Sequence, residues 1–178
     1  MVLIRKSLWD TVHRNLLDIE DNYDGHVIRN GFAARPVFKG KIKGNDITIN
    51  FSTAKTRSGR KTYIDFTLTT ASRISLTIAE KNWLVEQNRE NSSEKQEILL
   101  KNNTSYMVIS SEASKIKKII SQSDFVDTLE HIENMAYFFV GKTGTICEFW
   151  SDQIDRDTQF EKMEQRLEKV YKLLSLIK

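Results

Sequence analysis

One cysteine, Cys147, in a chain of 178 residues excludes an internal disulfide framework and any zinc site built on several thiolates. Stability must come from packing, and a reducing cytoplasm is the expected compartment. Proline is equally scarce: Pro36 stands alone, so long stretches are free to form regular structure. No apolar run approaches the roughly 20 residues that a membrane-spanning helix needs. The opening segment places its apolar trio ahead of Arg5 and Lys6, the wrong order for a secretory signal. Charge of one sign is missing as well. With 27 Lys and Arg against 24 Asp and Glu, the net of +3 is too small to name a partner.

Signals for chemistry are thin. The three histidines, His13, His26 and His131, do not share a metal-ligand spacing, and no serine sits in a Gly-x-Ser-x-Gly elbow. Gly141-Lys142-Thr143 resembles part of a phosphate loop, but Ala136 stands where that pattern needs glycine, and a strand follows instead of a helix. It reads as a hairpin turn. Cys147 alternates with Thr145 and Phe149 along a strand, which makes it a small buried apolar side chain. No catalytic residue, metal or cofactor is therefore expected, and the chain reads as non-enzymatic.

What is present is periodicity. Ile47, Ile49 and Phe51, then Ile64, Phe66 and Leu68, then Ile74, Leu76 and Ile78 place apolar side chains on every second position. Side chains alternate across a strand, so one face is apolar and the other takes Thr48, Asn50, Asp65, Thr67, Ser75 and Thr77. The pattern predicts a β-meander that is wet on one side. Before it, Ser7 and Asp10 form a capping-box pair ahead of Leu8, Val12, Leu16 and Ile19 at helical spacing. Val27-Ile28 and the stretch from Val37 to Ile42 read as short strands, with Gly40 a bulge or bend.

Residues 86–96 contain no apolar side chain and read as an exposed, mobile polar loop between two halves of one domain. Beyond it come strands near 98–100 and 106–109, helices near 114–120 and 125–132, and a hairpin of 137–140 with 145–150. A closing helix starts at Asp157 or Thr158, with Thr158 and Glu161 as a second capping pair. Its apolar residues Phe160, Met163, Leu167, Val170, Leu174 and Ile177 repeat at spacings of 3 and 4. Leu173 and Leu176 widen that stripe, which favours packing on a sheet; a dimer through the stripe is the alternative.

The expected architecture is a single α+β domain over residues 1–178. A twisted antiparallel meander is packed by the N-terminal and C-terminal amphipathic helices, with two short helices in the second half. The expected role is a cytoplasmic interaction or scaffold domain, with protein partners or self-association through Phe160, Met163, Leu167, Val170, Leu174 and Ile177. The alternative is a polyanion-binding module for nucleic acid or an anionic membrane surface. Residues 35–61 hold eight basic side chains and one acid, a net of +7, which leaves −4 for the rest of a chain at +3. Lys39, Lys41, Lys43, Lys55, Arg57, Arg60 and Lys61 are its candidate ligands, densest in the hairpin 53–61. Trp9, Trp83 and Trp150 each adjoin an apolar residue at the end of an element and read as core or rim anchors.

Overall fold

The computed structural model describes residues 7–56, 59–86, 95–110 and 112–177. The expected polar loop at 86–96 falls largely outside the described residues, as does Arg57. The elements run α1 (Leu8–Asn22), β1 (Asp24–Ile28), β2 (Val37–Ile42), β3 (Asn45–Thr56), β4 (Gly59–Leu68), β5 (Leu76–Glu80) and α2 (Lys81–Glu86). The second half adds β6 (Lys95–Leu99), β7 (Ser105–Ser110), α3 (Ala113–Ile120), α4 (Ser123–Glu130), β8 (Met135–Gly141), β9 (Gly144–Ser151), α5 (Ile154–Asp157) and α6 (Phe160–Ile177).

All nine strands join one antiparallel sheet in the order β1-β2-β3-β4-β9-β8-β5-β7-β6. The α+β class, the antiparallel sheet, the two packing helices at the ends of the chain and the two short helices, α3 and α4, are as expected. The meander itself comprises β1 to β4. The third alternating run, β5, leaves it: the β8–β9 hairpin inserts between β4 and β5. Residues 69–75 are the reason. Where a two-residue turn would have kept β5 beside β4, this longer connection crosses the end of the inserted hairpin. There Thr145 Oγ1 donates to the Thr70 carbonyl at 2.7 Å, and the Ser72 N–H donates to the Gly141 carbonyl at 3.0 Å.

Five helices cover one face. The capping box forms as read: the Ser7 N–H donates to Asp10 Oδ2 at 2.8 Å, and α1 then buries Val12, Leu16 and Ile19. The second capping pair does not form. Thr158 instead follows the one-turn helix α5, donates to the Ile154 carbonyl at 2.7 Å and accepts from Asn15 Nδ2 at 2.9 Å, and so ties α5 to α1. Helix α6 lays Met163, Leu167, Val170, Leu173, Leu174 and Ile177 into the core, each at most 2% exposed. Phe38, Phe66, Phe138 and Phe149 meet them from the sheet side. Gly40 is not a bulge; it pairs in register with Gly25 and Ile47. A Cβ at either glycine would lie 2.6 to 2.7 Å from the Phe38 ring, so that core side chain requires both. No helix among the described residues is long and apolar enough to cross a membrane.

Candidate functional site

The opposite face of the sheet is the candidate site. Among the described helices only the short α2 packs there, through Trp83 and Leu84, with the Trp83 ring stacked on Tyr137 at 4.8 Å. Residues paired in register point to the same face, so the ladder fixes what this face displays. One row reads Lys39, Thr48, Thr67, Ile146, Phe139, Thr77 and Ile109 from β2 to β7. The next carries Asn50, Asp65, Glu148, Tyr137, Ala79 and Met107. Ile146 is 39% exposed, while Phe139 and Ile109 are half-buried in the same row. They form an apolar strip across four strands, about 15 Å wide at the usual strand spacing.

Beside that strip Asp65 and Glu148 stand directly opposite each other on β4 and β9. Such neighbours have Cβ atoms about 5 Å apart. Burial raises the Asp65 pKa above its ordinary value; the Ser52 hydroxyl bonded to it and the positive field of Arg35 offset this only in part. Asp65 Oδ1 is sealed from solvent without a hydrogen-bond partner among the described residues. The Arg35 guanidinium is committed elsewhere. It donates to the Phe51 carbonyl at 2.8 Å and to Thr53 Oγ1, and it lies 5.4 Å from the Trp9 ring. At the upper border Lys61 Nζ sits 5.2 Å over the Trp150 ring.

The structure divides the expected polyanion ligands. Lys39 and Lys41 are exposed on the open face at β2, with Lys41 Nζ 4.0 Å from Asp46. Lys43 lies in the β2–β3 turn with a φ of 51° and its Nζ 5.2 Å over the Tyr171 ring. Lys55, Arg60 and Lys61 stand at the far end of the β3–β4 hairpin. From the Lys41–Asp46 row to Lys55 is nine residues of strand, about 30 Å. Lys55 and Arg60 also have the parity of Phe51 and Ile64, opposite to Lys61. The six described cations therefore do not converge on one patch.

The stripe offered as a protein interface is also placed otherwise. Met163, Leu167, Val170, Leu174 and Ile177 are buried in this chain's own core, and Phe160 is half-buried 6.2 Å from Tyr23. A second copy would have to displace the sheet to reach them. The aromatic anchors separate in the same way: Trp83 and Trp150 share the open-face cluster, whereas Trp9 packs on Phe51. Cys147 is fully buried, and burial pushes its thiol well above the ordinary value, so it is no thiolate nucleophile at neutral pH.

The open-face set of Asp65, Glu148, Ile146 and Phe139 has no local signature. Asp65 is legible as a wet-face residue from its alternation, but its neighbour follows only from the β4–β9 pairing. A second charged group lies at the buried α5–α6 corner. Arg166, 6% exposed, donates to the Asp157 carbonyl at 2.6 Å and approaches Asp157 Oδ1 at 3.5 Å. Ser151 and Lys162 complete the shell of that carboxylate at 2.7 and 3.0 Å. Burial alone would raise Asp157, but Ser151, Lys162 and Arg166 outweigh it, and its pKa is lowered. The network fastens the α5–α6 corner to the end of β9.

No family model matches the chain, and no curated protein matches it. Among solved structures it is similar to the crystal structure of the mycobacterial trehalose monomycolate transport factor A, TtfA. The likeness covers 98% of this chain and 96% of that one, with a TM-score of 0.59 and 9% sequence identity. At that identity the likeness is one of fold alone.

Proposed function

We propose that the protein is a non-enzymatic interaction or scaffold domain of the cytoplasm that binds a protein partner across the open face of its sheet. The observation that carries this reading is the apolar strip of Ile146, Phe139 and Ile109, partly exposed on a face where, among the described residues, only the short α2 packs, while five helices cover the other. Exposed apolar surface bordered by polar side chains is the usual composition of a protein interface. The test is recovery of tagged protein from its own cells after nuclease treatment. Wild type should retain specific partner proteins, and Ile146→Asp should lose them while its circular dichroism and thermal midpoint stay close to wild type. Equal recovery by both proteins would remove the open face from consideration.

The polyanion alternative rests on exposed Lys55 and Arg60 at the end of the β3–β4 hairpin. Its signature is a steep loss of affinity with salt through counterion release. Lys55→Glu with Arg60→Glu should then abolish retention of a single-stranded oligonucleotide or of anionic vesicles at low salt. No retention by wild type at low salt would eliminate this alternative.

A further inference from the structure

We infer that the partner segment received by the open face is acidic as well as apolar, with apolar side chains on Ile146, Phe139 and Ile109 and carboxylates at the cations that border this strip. This rests on the open-face reading above and adds the chemistry of the occupant. The argument is charge complementarity around a defined strip. In the ladder row that holds Ile146, Phe139 and Ile109, Lys95 of β6 stands directly opposite Ile109, and Lys39 ends the row on β2. Lys142 lies in the two-residue turn that joins β8 to β9. That turn begins past Gly141, two residues or about 7 Å along the strand from Phe139. The Ser72 N–H donates to the Gly141 carbonyl at 3.0 Å, which brings Arg73 to the same end of the hairpin.

Lys39, Arg73, Lys95 and Lys142 are all exposed, and none of them forms an ion pair among the described residues. Their aliphatic stems can extend the apolar strip while the charged heads stay at its border. The acids of this face are engaged or lie elsewhere. Glu97 accepts from Lys81 at 3.0 Å and from the Ser105 hydroxyl. Asp24 and Asp46 flank Lys41 in register, so that corner carries its own counter-charge. Asp65 and Glu148 occupy the next row, on the side of the strip away from Arg73 and Lys142. The asymmetry orients the occupant, whose acidic edge runs along the β8–β9 turn. A basic segment would bring like charges to Arg73, Lys95 and Lys142, and juxtaposed like charges reject a wrong partner.

The test uses two synthetic peptides of equal length with a central Leu-Phe pair, one flanked by glutamates and the other by lysines at the same positions. Each is titrated into the full ¹⁵N-labelled chain. The glutamate peptide should produce saturable shifts at the amides of Phe139, Lys142 and Ile146. The lysine peptide should bind at least tenfold more weakly. Arg73→Glu with Lys142→Glu should weaken the glutamate peptide by a similar factor and strengthen the lysine peptide. Lys142→Gln alone, if the double variant is poorly folded, should give part of that loss. Lys55→Glu with Arg60→Glu, at the far end of the sheet, should leave the glutamate peptide's affinity unchanged. Equal affinity of the two peptides, shifts that map to another surface, or binding unchanged in Lys142→Gln would overturn the inference. So would failure of the glutamate peptide to bind while vesicles of phosphatidylcholine and phosphatidylglycerol bind through Arg73 and Lys142, which would give the face to a lipid surface. The two readings fail separately. If Ile146→Asp loses the cellular partners while Arg73→Glu with Lys142→Glu keeps them, the open face stands and the acidic occupant does not. If Ile146→Asp keeps them, both fall.

Discussion

The two faces of one sheet solve opposite problems. On the covered face the apolar side chains of β3, β4, β8 and β9 join one buried cluster with the helices, and the buried Asp157 is held by three partners, Ser151, Lys162 and Arg166. On the open face, among the described residues, only the short α2 packs, and Ile146, Phe139 and Ile109 stay partly exposed. The same strands make both faces, so backbone pairing cannot account for the difference. Side-chain parity does, and it separates the residues of the main core from those that stay partly exposed.

The sharpest test of that contrast lies in two neighbouring phenylalanines of β8. Phe138 is fully buried and Phe139 points to the open face. Phe138→Ala should cost about 3 to 5 kcal/mol, the usual range for a large core truncation. Phe139→Ala should cost about 1 kcal/mol. Urea unfolding of both variants decides it, and equal costs would break the distinction between the faces. Next in size is Arg166→Met, which removes a main partner of buried Asp157 and should cost about 3 kcal/mol. Adding Asp157→Asn should return part of that loss, because the stranded charge is then gone. A double variant no more stable than Arg166→Met would show that lost packing over Phe149, 5.3 Å from the guanidinium, is the larger effect.

On the open face α2 is anchored by Trp83, 6% exposed and stacked on Tyr137. Trp83→Ala should cost about 2 kcal/mol and should release α2 alone. Hydrogen exchange should therefore quicken at residues 81–86 while α6 remains protected. Faster exchange throughout α6 would mean that the two faces are one cooperative unit.

How far the chain discloses this arrangement depends on the range of each signal. The alternation of Ile47 to Phe51 and Ile64 to Leu68, the capping box of Ser7 and Asp10, and the stripe of α6 are local patterns, and all three form. The stripe's occupant was the open question, and the breadth added by Leu173 points to the sheet, where that residue is fully buried. The position of β5 was hidden, because nothing near Thr69 to Ser75 announces a hairpin that arrives some 65 residues later. The candidate site was hidden for the same reason. Asp65 and Glu148 are 83 positions apart and become neighbours only through the β4–β9 ladder. The basic run of 35–61 shows the converse error: closeness in sequence along a long hairpin sends Lys41 and Lys55 to opposite ends.

The smallest effect is the most discriminating, because two aspartates, one for each face, should respond to pH in opposite senses. Asp157 has its pKa lowered by its partners in the folded protein, against the cost of burial. It contributes stability above its unfolded value, and that contribution is lost as pH falls through the folded value. Asp65 has its pKa raised, chiefly by burial. Between the unfolded and folded values the native state then holds more protons than the unfolded chain, so stability falls as pH rises through that window. Asp65→Asn removes the charge and keeps an acceptor for Ser52. It should stabilise the protein at pH 7 by at most about 1 kcal/mol, with the gain fading as pH falls toward the ordinary aspartate range. Asp157→Asn should destabilise at pH 7 and lose its deficit in acid. Thermal midpoints of both variants from pH 3 to pH 8 supply the comparison. If Asp65→Asn is destabilising at neutral pH, its carboxylate is well compensated within the chain and burial does not govern its contribution.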